Sequence, residues 1–367
     1  MIAMLSSRSR AGLISIVIAL AVAAIICFRP IVKWWYLTIP AVNFIVVILL
    51  LVNSYNDDII FGRLKQAFQK ESEKEIEIAE VDGTAVKKTG LTELYTSKNG
   101  VIFQYNEMRA QVSVYVGEGI FGFYAIDENG DQVELLGNED GTEFLFTHPA
   151  LKDLKIVPQV FYQPVNETLE ECLGFEFYAE GEWDFVYNHF KDEYKYITPY
   201  NKASDMIMAD SIGFTEHQNL FSGRGYIWSR SIPLLKKHIL VGSGPDTFLF
   251  EFPQNDYLMM KKRGYGNAIM TKPHSMYLQI AVQTGVLSLL AFIVFYVWYA
   301  IQSVRLYFFR PLKTQAEGFG VATLIGSIGY MISGISNDSM VVTAPIFWVM
   351  LGVGIAANAL VKKQRAQ

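Results

Sequence analysis

Residues 222–244 read SGRGYIWSRSIPLLKKHILVGSG, and residues 272–292 read KPHSMYLQIAVQTGVLSLLAF. The first stretch is dense in cations. The second turns from polar to apolar within a few residues and stays apolar. Between them lies a polar segment holding Arg263, and Lys272 opens the second stretch. A group of cations and one histidine, His274, is thereby delivered to the point where the chain enters an apolar run. Charge placed against a hydrocarbon boundary is costly unless it meets headgroups, a ligand or a reaction.

The surrounding chain supports that boundary. Hydrophobic residues make up 51% of the sequence, the mean hydropathy is +0.23 and the formal net charge is −5. The apolar excess sits in blocks near both ends, at about 11–28, 34–52, 278–304, 318–336 and 341–361. Each approaches the roughly 20 residues that a helix needs to cross the hydrocarbon. The expectation is a polytopic α-helical membrane protein with an inserted extracytoplasmic mainly-β domain. It has two membrane helices over 1–52, a helical linker over 53–75, the β domain over 76–200, an extracytoplasmic loop over 201–277, and three membrane helices with a cytoplasmic tail over 278–367. The first run resembles a signal peptide in length. It lacks a small-residue cleavage pattern, and a second apolar run follows almost at once, so a helical hairpin is the better reading.

Charge orients these spans. Arg29 with Lys33, Arg305 with Arg310 and Lys313, and Lys362, Lys363 and Arg365 occupy short connections or the tail. Lysine and arginine concentrate in short cytoplasmic loops, which places all three groups inside and the 53–273 excursion outside. Arg8 and Arg10 alone dissent. An outside N-terminus without its own export signal suggests the latter part of a longer membrane protein, with an upstream polypeptide supplying further helices.

Within the excursion, short alternating segments such as VIFQYNE, AQVSVYVG, GIFGFYAI, TEFLFTH, FEFYAEG and WDFVYN are separated by Asn-Gly, Asp-Gly and Glu-Asn-Gly. These are strands and turns of a small all-β sandwich or barrel-like domain. Residues 225–239 read as an amphipathic helix bent near Pro233, with Trp228, Ile232, Leu235 and Ile239 on one side. Arg230, Lys236, Lys237 and His238 then face water or headgroups, so the helix suits the membrane interface.

Several chemistries are disfavoured. Two cysteines, Cys27 and Cys172, give no plausible intrachain disulfide, and five histidines are scattered without the spacing of a compact zinc site. There is no nucleotide-type phosphate loop, and the acidic balance argues against nucleic acid as a partner. Neither a metal nor another cofactor is expected. Asp246, Glu251 and Asp256 read chiefly as loop carboxylates, and Asp338, at an exterior helix mouth, as a group able to orient a cation.

Three segments together resemble the O-antigen ligase and Wzy-type polymerase family of membrane glycosyltransferases, in the form found in Gram-positive bacteria. LSSRSRAGLISIV, from Leu5, resembles the serine-arginine signature at the outer end of a family helix. SGRGYIWSRSIPLLKKHILVGSGPDTF resembles the Arg, Trp, His-Pro-Leu, Gly-x-Gly region, with Arg224 and Trp228 in place and His238-Ile239-Leu240 departing from it. KPHSMYLQIAVQTGVLSLLAF resembles the family's histidine at a helix start, with Ser275 where asparagine often follows. The resemblance covers roughly 3–52 and 215–361 and leaves the β domain outside the common core.

The resemblance implies metal-independent, inverting transfer of a glycan from an undecaprenyl-diphosphate carrier to a glycan or cell-wall acceptor hydroxyl at the outer face of the cytoplasmic membrane. On that reading Arg224 clamps the diphosphate, with Arg8 or Arg10 as a second cation, because arginine stays charged and grips phosphate oxygens through paired N–H donors. His274 is the base, since neutral imidazole accepts a proton near neutral pH. Trp228, His238, Arg263, Lys272 and Asp338 are accessory candidates. Two other readings stand beside it: a membrane-anchored protein that binds wall polymer without catalysis, and an inactive fragment of such an enzyme.

Overall fold

The computed structural model describes residues 10–26, 28–33, five single positions between 36 and 47, and then 77–81, 84–117, 120–165, 168–189 and 191–367. The expected span at about 34–52 lies largely outside the described residues, and the linker 53–75 lies wholly outside them. The chain divides into two compact units, one of Met1–Glu71, Ser211–Phe252 and Met270–Gln367, the other of Ser72–Asp210 and Pro253–Ile269.

The helices are α1 (Arg10–Ile26), α2 (Phe28–Lys33), α3 (Leu220–Leu234), α4 (Phe248–Glu251), α5 (Tyr257–Lys262), α6 (Met276–Gln283), α7 (Val286–Tyr307), α8 (Gln315–Ser333) and α9 (Ala344–Ala366). All but α5 belong to the first unit. Among the described residues two helices, α7 and α9, are long and apolar enough to cross a membrane, against the five crossings expected. At about 1.5 Å per residue α7 extends about 33 Å, which matches a hydrocarbon layer about 30 Å thick. α1 has 17 residues, and α8 is diluted by Gly318, Gly320, Gly326 and Gly329.

Gly320 of α8 and Gly354 of α9 have a packing role. A Cβ on Gly320 would stand 2.0 Å from the Tyr307 hydroxyl, and one on Gly354 would stand 2.2 Å from that of Tyr299. Small residues let helices approach closely, and polar side chains then bond across the contact. Tyr307 donates to Asn358 Oδ1 at 2.7 Å, and Asn358 Nδ2 donates to Ser303 at 2.8 Å. The Phe292 ring meets Phe347 and Trp348 where α7 and α9 begin, and Lys362 Nζ reaches Gln302 Oε1 where they end. α7 and α9 are therefore parallel, with α8 antiparallel to both. α1 packs antiparallel on α8, with Ala19 beside Gly329 and the ring of Phe28, which follows its end, 6.0 Å from that of Phe309.

α3 differs from the interfacial helix expected at 225–239. It begins earlier, at Leu220, and Gly225 through Ser231 are buried all round, including Arg230 at 4% exposure. Its serines return their hydroxyls to the helix, Ser229 to the Tyr226 carbonyl at 2.8 Å and Ser231 to that of Ile227 at 2.7 Å. The Arg230 guanidinium lies 4.5 Å from the Tyr226 ring centre. Polar residues satisfied in this way can be buried, and the helix is an interior element rather than a surface one. Past its end, Lys236 and Lys237 are exposed, and so are Ile239 and Leu240.

The second unit contains two open antiparallel meanders and a separate hairpin, β1 (Glu77–Val81) with β2 (Thr84–Lys88). β3 (Leu91–Thr96), β4 (Val101–Tyr105), β5 (Met108–Gly117), β6 (Ile120–Asp127) and β7 (Gln132–Val133) form the five-stranded sheet in sequence order. β8 (Leu135–Gly137), β9 (Phe144–Phe146), β10 (Lys155–Val165), β11 (Thr168–Tyr178), β12 (Glu182–Asn188), β13 (Glu193–Ile197) and β14 (Ala203–Ser204) form the seven-stranded one, also in order. Phe103 of β4 meets Phe146 of β9 at 5.7 Å and Phe177 of β11 at 5.0 Å, and Phe123 of β6 meets Phe175 of β11 at 5.3 Å. The rings join the two sheets into a sandwich, each buried aromatic contributing about 1.5–3 kcal/mol relative to exposure. The β4–β5 turn is carried by Asn106 and Glu107, both at positive φ. Asn106 Oδ1 accepts from Thr89 N and Gly90 N, which holds a two-residue turn that lacks glycine.

Residues 253–269 join this unit rather than the loop 201–277. Leu258 of α5 is fully buried in the sandwich core, the Tyr257 ring packs tilted against Tyr196 at 4.8 Å, and Ile207 N donates to the Asn255 carbonyl at 3.0 Å.

Candidate functional site

The site grows from the join between α6 and the 334–343 connection of α8 to α9. Met276 N, at the start of α6, donates to the carbonyls of both Gly334 and Asn337 at 2.8 Å. Gln279, one turn on, accepts from Ser339 N at 2.8 Å, and the Tyr330 hydroxyl lies 3.2 Å from Ser339 Oγ. The first turn of α6 and the loop around 336–339 thus fix each other.

Two of the residues singled out in the sequence reach this loop. His274 Nδ1 lies 3.0 Å from Asp338 Oδ2, and Arg224 Nη1 donates to the Ser336 carbonyl. The imidazole is 45% exposed while the carboxylate is 7% exposed, so the histidine faces out and its partner is enclosed. With Asp338 ionised, Nδ1 carries the proton and donates it, which leaves the Nε2 lone pair as the proton-accepting position. The second carboxylate oxygen, Asp338 Oδ1, is buried without a protein partner. His274 itself sits at φ 52°, a conformation costly for a side chain with a Cβ.

Trp228 supports the same corner. Its indole N–H donates to the Pro273 carbonyl at 3.0 Å, immediately before His274, and its ring is held by Phe214 and Phe221 at 5.2 and 5.5 Å. Its position is that of a brace for the His274 backbone. Lys272 is half-buried two residues away. Arg224 stands on α3 beside Gly225, where a Cβ would lie 2.1 Å from the His217 carbonyl, so the chain must have glycine to pass there.

The other candidates separate from this corner. His238 is buried, with Nε2 3.1 Å from Glu251 Oε2, and its carbonyl accepts from Val286 N at the start of α7. Placing His238 in a solvent-facing basic run is therefore corrected: it pairs with a carboxylate read from sequence as mere loop solvation. Ser243 N and Gly244 N donate to the carbonyls of Val282 and Gln283, and Gly242 packs where any Cβ would strike Gln283. Arg263 belongs to the β unit with α5. Arg10 opens α1, at the end of the bundle that carries His274, and Arg8 lies outside the described residues. The reading of Asp338 as a cation-orienting group becomes one of an imidazole-orienting group.

Sequence reasoning missed the Asp338–His274 pairing, because 64 residues separate them. The available signal was that the segment from Leu278 to Gln367 holds two carboxylates, Glu317 and Asp338, and one of them stands at an apolar boundary. Among the described residues no three of His, Cys, Asp and Glu gather as a metal site.

Comparison with known proteins places one match on this region. The family model described as O-antigen ligase matches residues 179–293, a span holding Arg224, Trp228, His238, Lys272 and His274. It covers less than half of the chain, excludes Asp338, and marks no Gram-positive form. No curated protein and no solved structure matches significantly. The chain is similar to O-antigen ligases over 179–293, and with two apolar helices of membrane-crossing length this supports a membrane-associated role in handling glycans.

Proposed function

We propose that the protein transfers a glycan from an undecaprenyl-diphosphate carrier to an acceptor hydroxyl at the outer face of the cytoplasmic membrane, as a cell-surface polysaccharide ligase or polymerase. The observation that carries this reading is the His274–Asp338 pair at 3.0 Å on the loop whose Ser336 carbonyl also holds Arg224. In the reaction, the acceptor oxygen attacks the anomeric carbon while its proton passes to His274 Nε2. The bond from that carbon to the phosphate oxygen breaks, the diphosphate leaves with the electron pair, and the configuration inverts. Asp338 holds the imidazole in the accepting tautomer and stabilises the imidazolium that forms.

The leaving group is already good, so the remaining need is to hold its developing charge. Arg224 serves there. Its guanidinium forms a planar fork suited to phosphate oxygens, and the Ser336 carbonyl sets its orientation. Arg8 or Arg10 supplies a second cation. The chain crosses the membrane five times with the β domain and the 201–277 loop outside, an arrangement favoured by the short-loop lysines and arginines. No divalent metal takes part.

The test is transfer by the purified full chain in liposomes loaded with the native lipid-linked glycan, with product length read on a gel. A ladder identifies a polymerase and a single shifted acceptor a ligase. His274→Ala lowers the rate by about a thousandfold, within the usual range for removal of a general base. Binding of wall polymer with no transfer by the unmodified chain would instead make it an anchored binding protein.

A further inference from the structure

We propose that the opposite end of the helical unit holds a binding site for a phosphate group, carried on a membrane lipid headgroup or free. A cavity of about 320 Å³ opens there between the α7–α8 connection and the end of α9, lined by Arg310, Lys313, Thr314, Glu317, Gln364 and Arg365. The proposal is independent of the chemistry at His274.

Among the described residues the charge at this end is not balanced by carboxylates. From Leu278 to Gln367 the cations are Arg305, Arg310, Lys313, Lys362, Lys363 and Arg365, and the carboxylates are Glu317 and Asp338. Asp338 belongs to the His274 end. Glu317 is fully engaged: Oε1 takes Arg365 Nη2 at 2.6 Å, and Oε2 takes the backbone N–H groups of Lys313 and Thr314 at 2.6 and 3.1 Å. Arg365 is further tied to the Leu306 carbonyl at 2.8 Å. Among the described residues, Arg310 and Lys313 have no acidic side-chain partner, and both are exposed at the cavity.

The shape of that residual charge selects the ligand. Arginine with a neighbouring lysine suits a compact tetrahedral oxyanion, bound through charge-assisted hydrogen bonds. At the start of α8 the N–H groups of Lys313 and Thr314 are taken by Glu317 and that of Glu317 by Thr314, so the cations are the chief recognising groups. Phe308 and Phe309 stand exposed beside them at 46% and 41%. Aromatic rings next to basic residues at a helix end sit at headgroup depth, where lipid phosphates lie.

The test measures saturable binding to the full chain in nanodiscs of phosphatidylcholine, with phosphatidylglycerol titrated in, and in a second arm with inorganic phosphate in detergent. The variant is Arg310→Ala with Lys313→Ala, and its charge-preserving control is Arg310→Lys with Lys313→Arg. Phosphatidylglycerol binding that the alanine variant weakens by about 25-fold, a factor of about five per cation, and the control retains, identifies a lipid phosphate. The same pattern with inorganic phosphate alone identifies a free one. Equal binding of both probes by the unmodified chain and the alanine variant, or no saturable binding of either, overturns the proposal.

Discussion

Two carboxylates stand at opposite ends of the helical unit, each almost wholly enclosed: the side chain of Glu317 is 8% exposed and that of Asp338 7%. Their environments differ in one respect. Both oxygens of Glu317 are occupied, by Arg365 and by two backbone N–H groups, whereas Asp338 spends one oxygen on His274 and leaves the other without a protein partner. Buried polar atoms are almost always paired, so an orphaned carboxylate oxygen calls for a partner that the protein does not supply, a water or a ligand. Saturation identifies Glu317 as a fastener. Incompleteness suits Asp338 to the role proposed for it beside His274.

Mutations can break this contrast. Under the proposed reaction, Asp338→Asn keeps the size of the side chain but favours the wrong imidazole tautomer. Transfer then falls by about a hundredfold in kcat with KM and melting temperature little changed, read by steady-state kinetics beside a thermal melt. An asparagine variant that melts early and transfers normally would reverse the assignment. Glu317→Gln should do the opposite. It uncouples Arg365 and weakens the cap on α8, costing about 2 kcal/mol of stability while leaving transfer per folded molecule intact. The check is a melt in detergent with activity normalised to folded protein.

A third carboxylate sharpens the comparison from outside the helical unit. Asp184 lies directly across from Glu176 in the β11–β12 register. Burial, then the charges of Glu176 and Glu182, push its pKa above the ordinary carboxylate value. The folded unit therefore binds this proton more tightly than the unfolded chain does. Asp184 destabilises the fold increasingly as pH rises from 3.8 through its raised pKa, and fully above that. Asp184→Asn should raise stability at neutral pH by about 0.5 kcal/mol, the scale of a like-charge cross-strand pair. The gain should vanish in acid below 3.8, as followed by melts across pH.

Sequence reading reached much of this through local signals. Asn99-Gly100 does join β3 to β4, and Gly130, at φ 86°, turns β6 into β7. The alternation of VIFQY puts Val101, Phe103 and Tyr105 in the core as a period of two requires. His274 and Arg224 were legible as polar groups at an apolar boundary. Burial of polar residues was not legible. α3 places Ser229, Arg230 and Ser231 inside, and a hydrophobic pattern cannot register a serine whose hydroxyl is spent on its own helix. The start of a helix was legible only roughly as well: 225–239 is expected, whereas α3 begins at Leu220 and takes in Gly223 and Gly225, where His217 passes too close for a side chain at 225. In α8 the glycines trade apolarity for close packing against Tyr307, so this span is not one of the two helices apolar enough to cross by length and composition alone. Pairings distant in sequence, such as His274 with Asp338 and His238 with Glu251 across a turn, leave no local trace.

The left-handed backbone at His274 has a practical consequence. At φ 52° the position would suit glycine better than histidine, so His274→Gly deletes the imidazole while relaxing the main chain instead of distorting it. That variant is the protein's own receptor for a borrowed base: free imidazole added to the medium can occupy the vacated space beside Asp338. Restored turnover that tracks the concentration of the added heterocycle would register the missing proton acceptor directly, with the loop around it undisturbed.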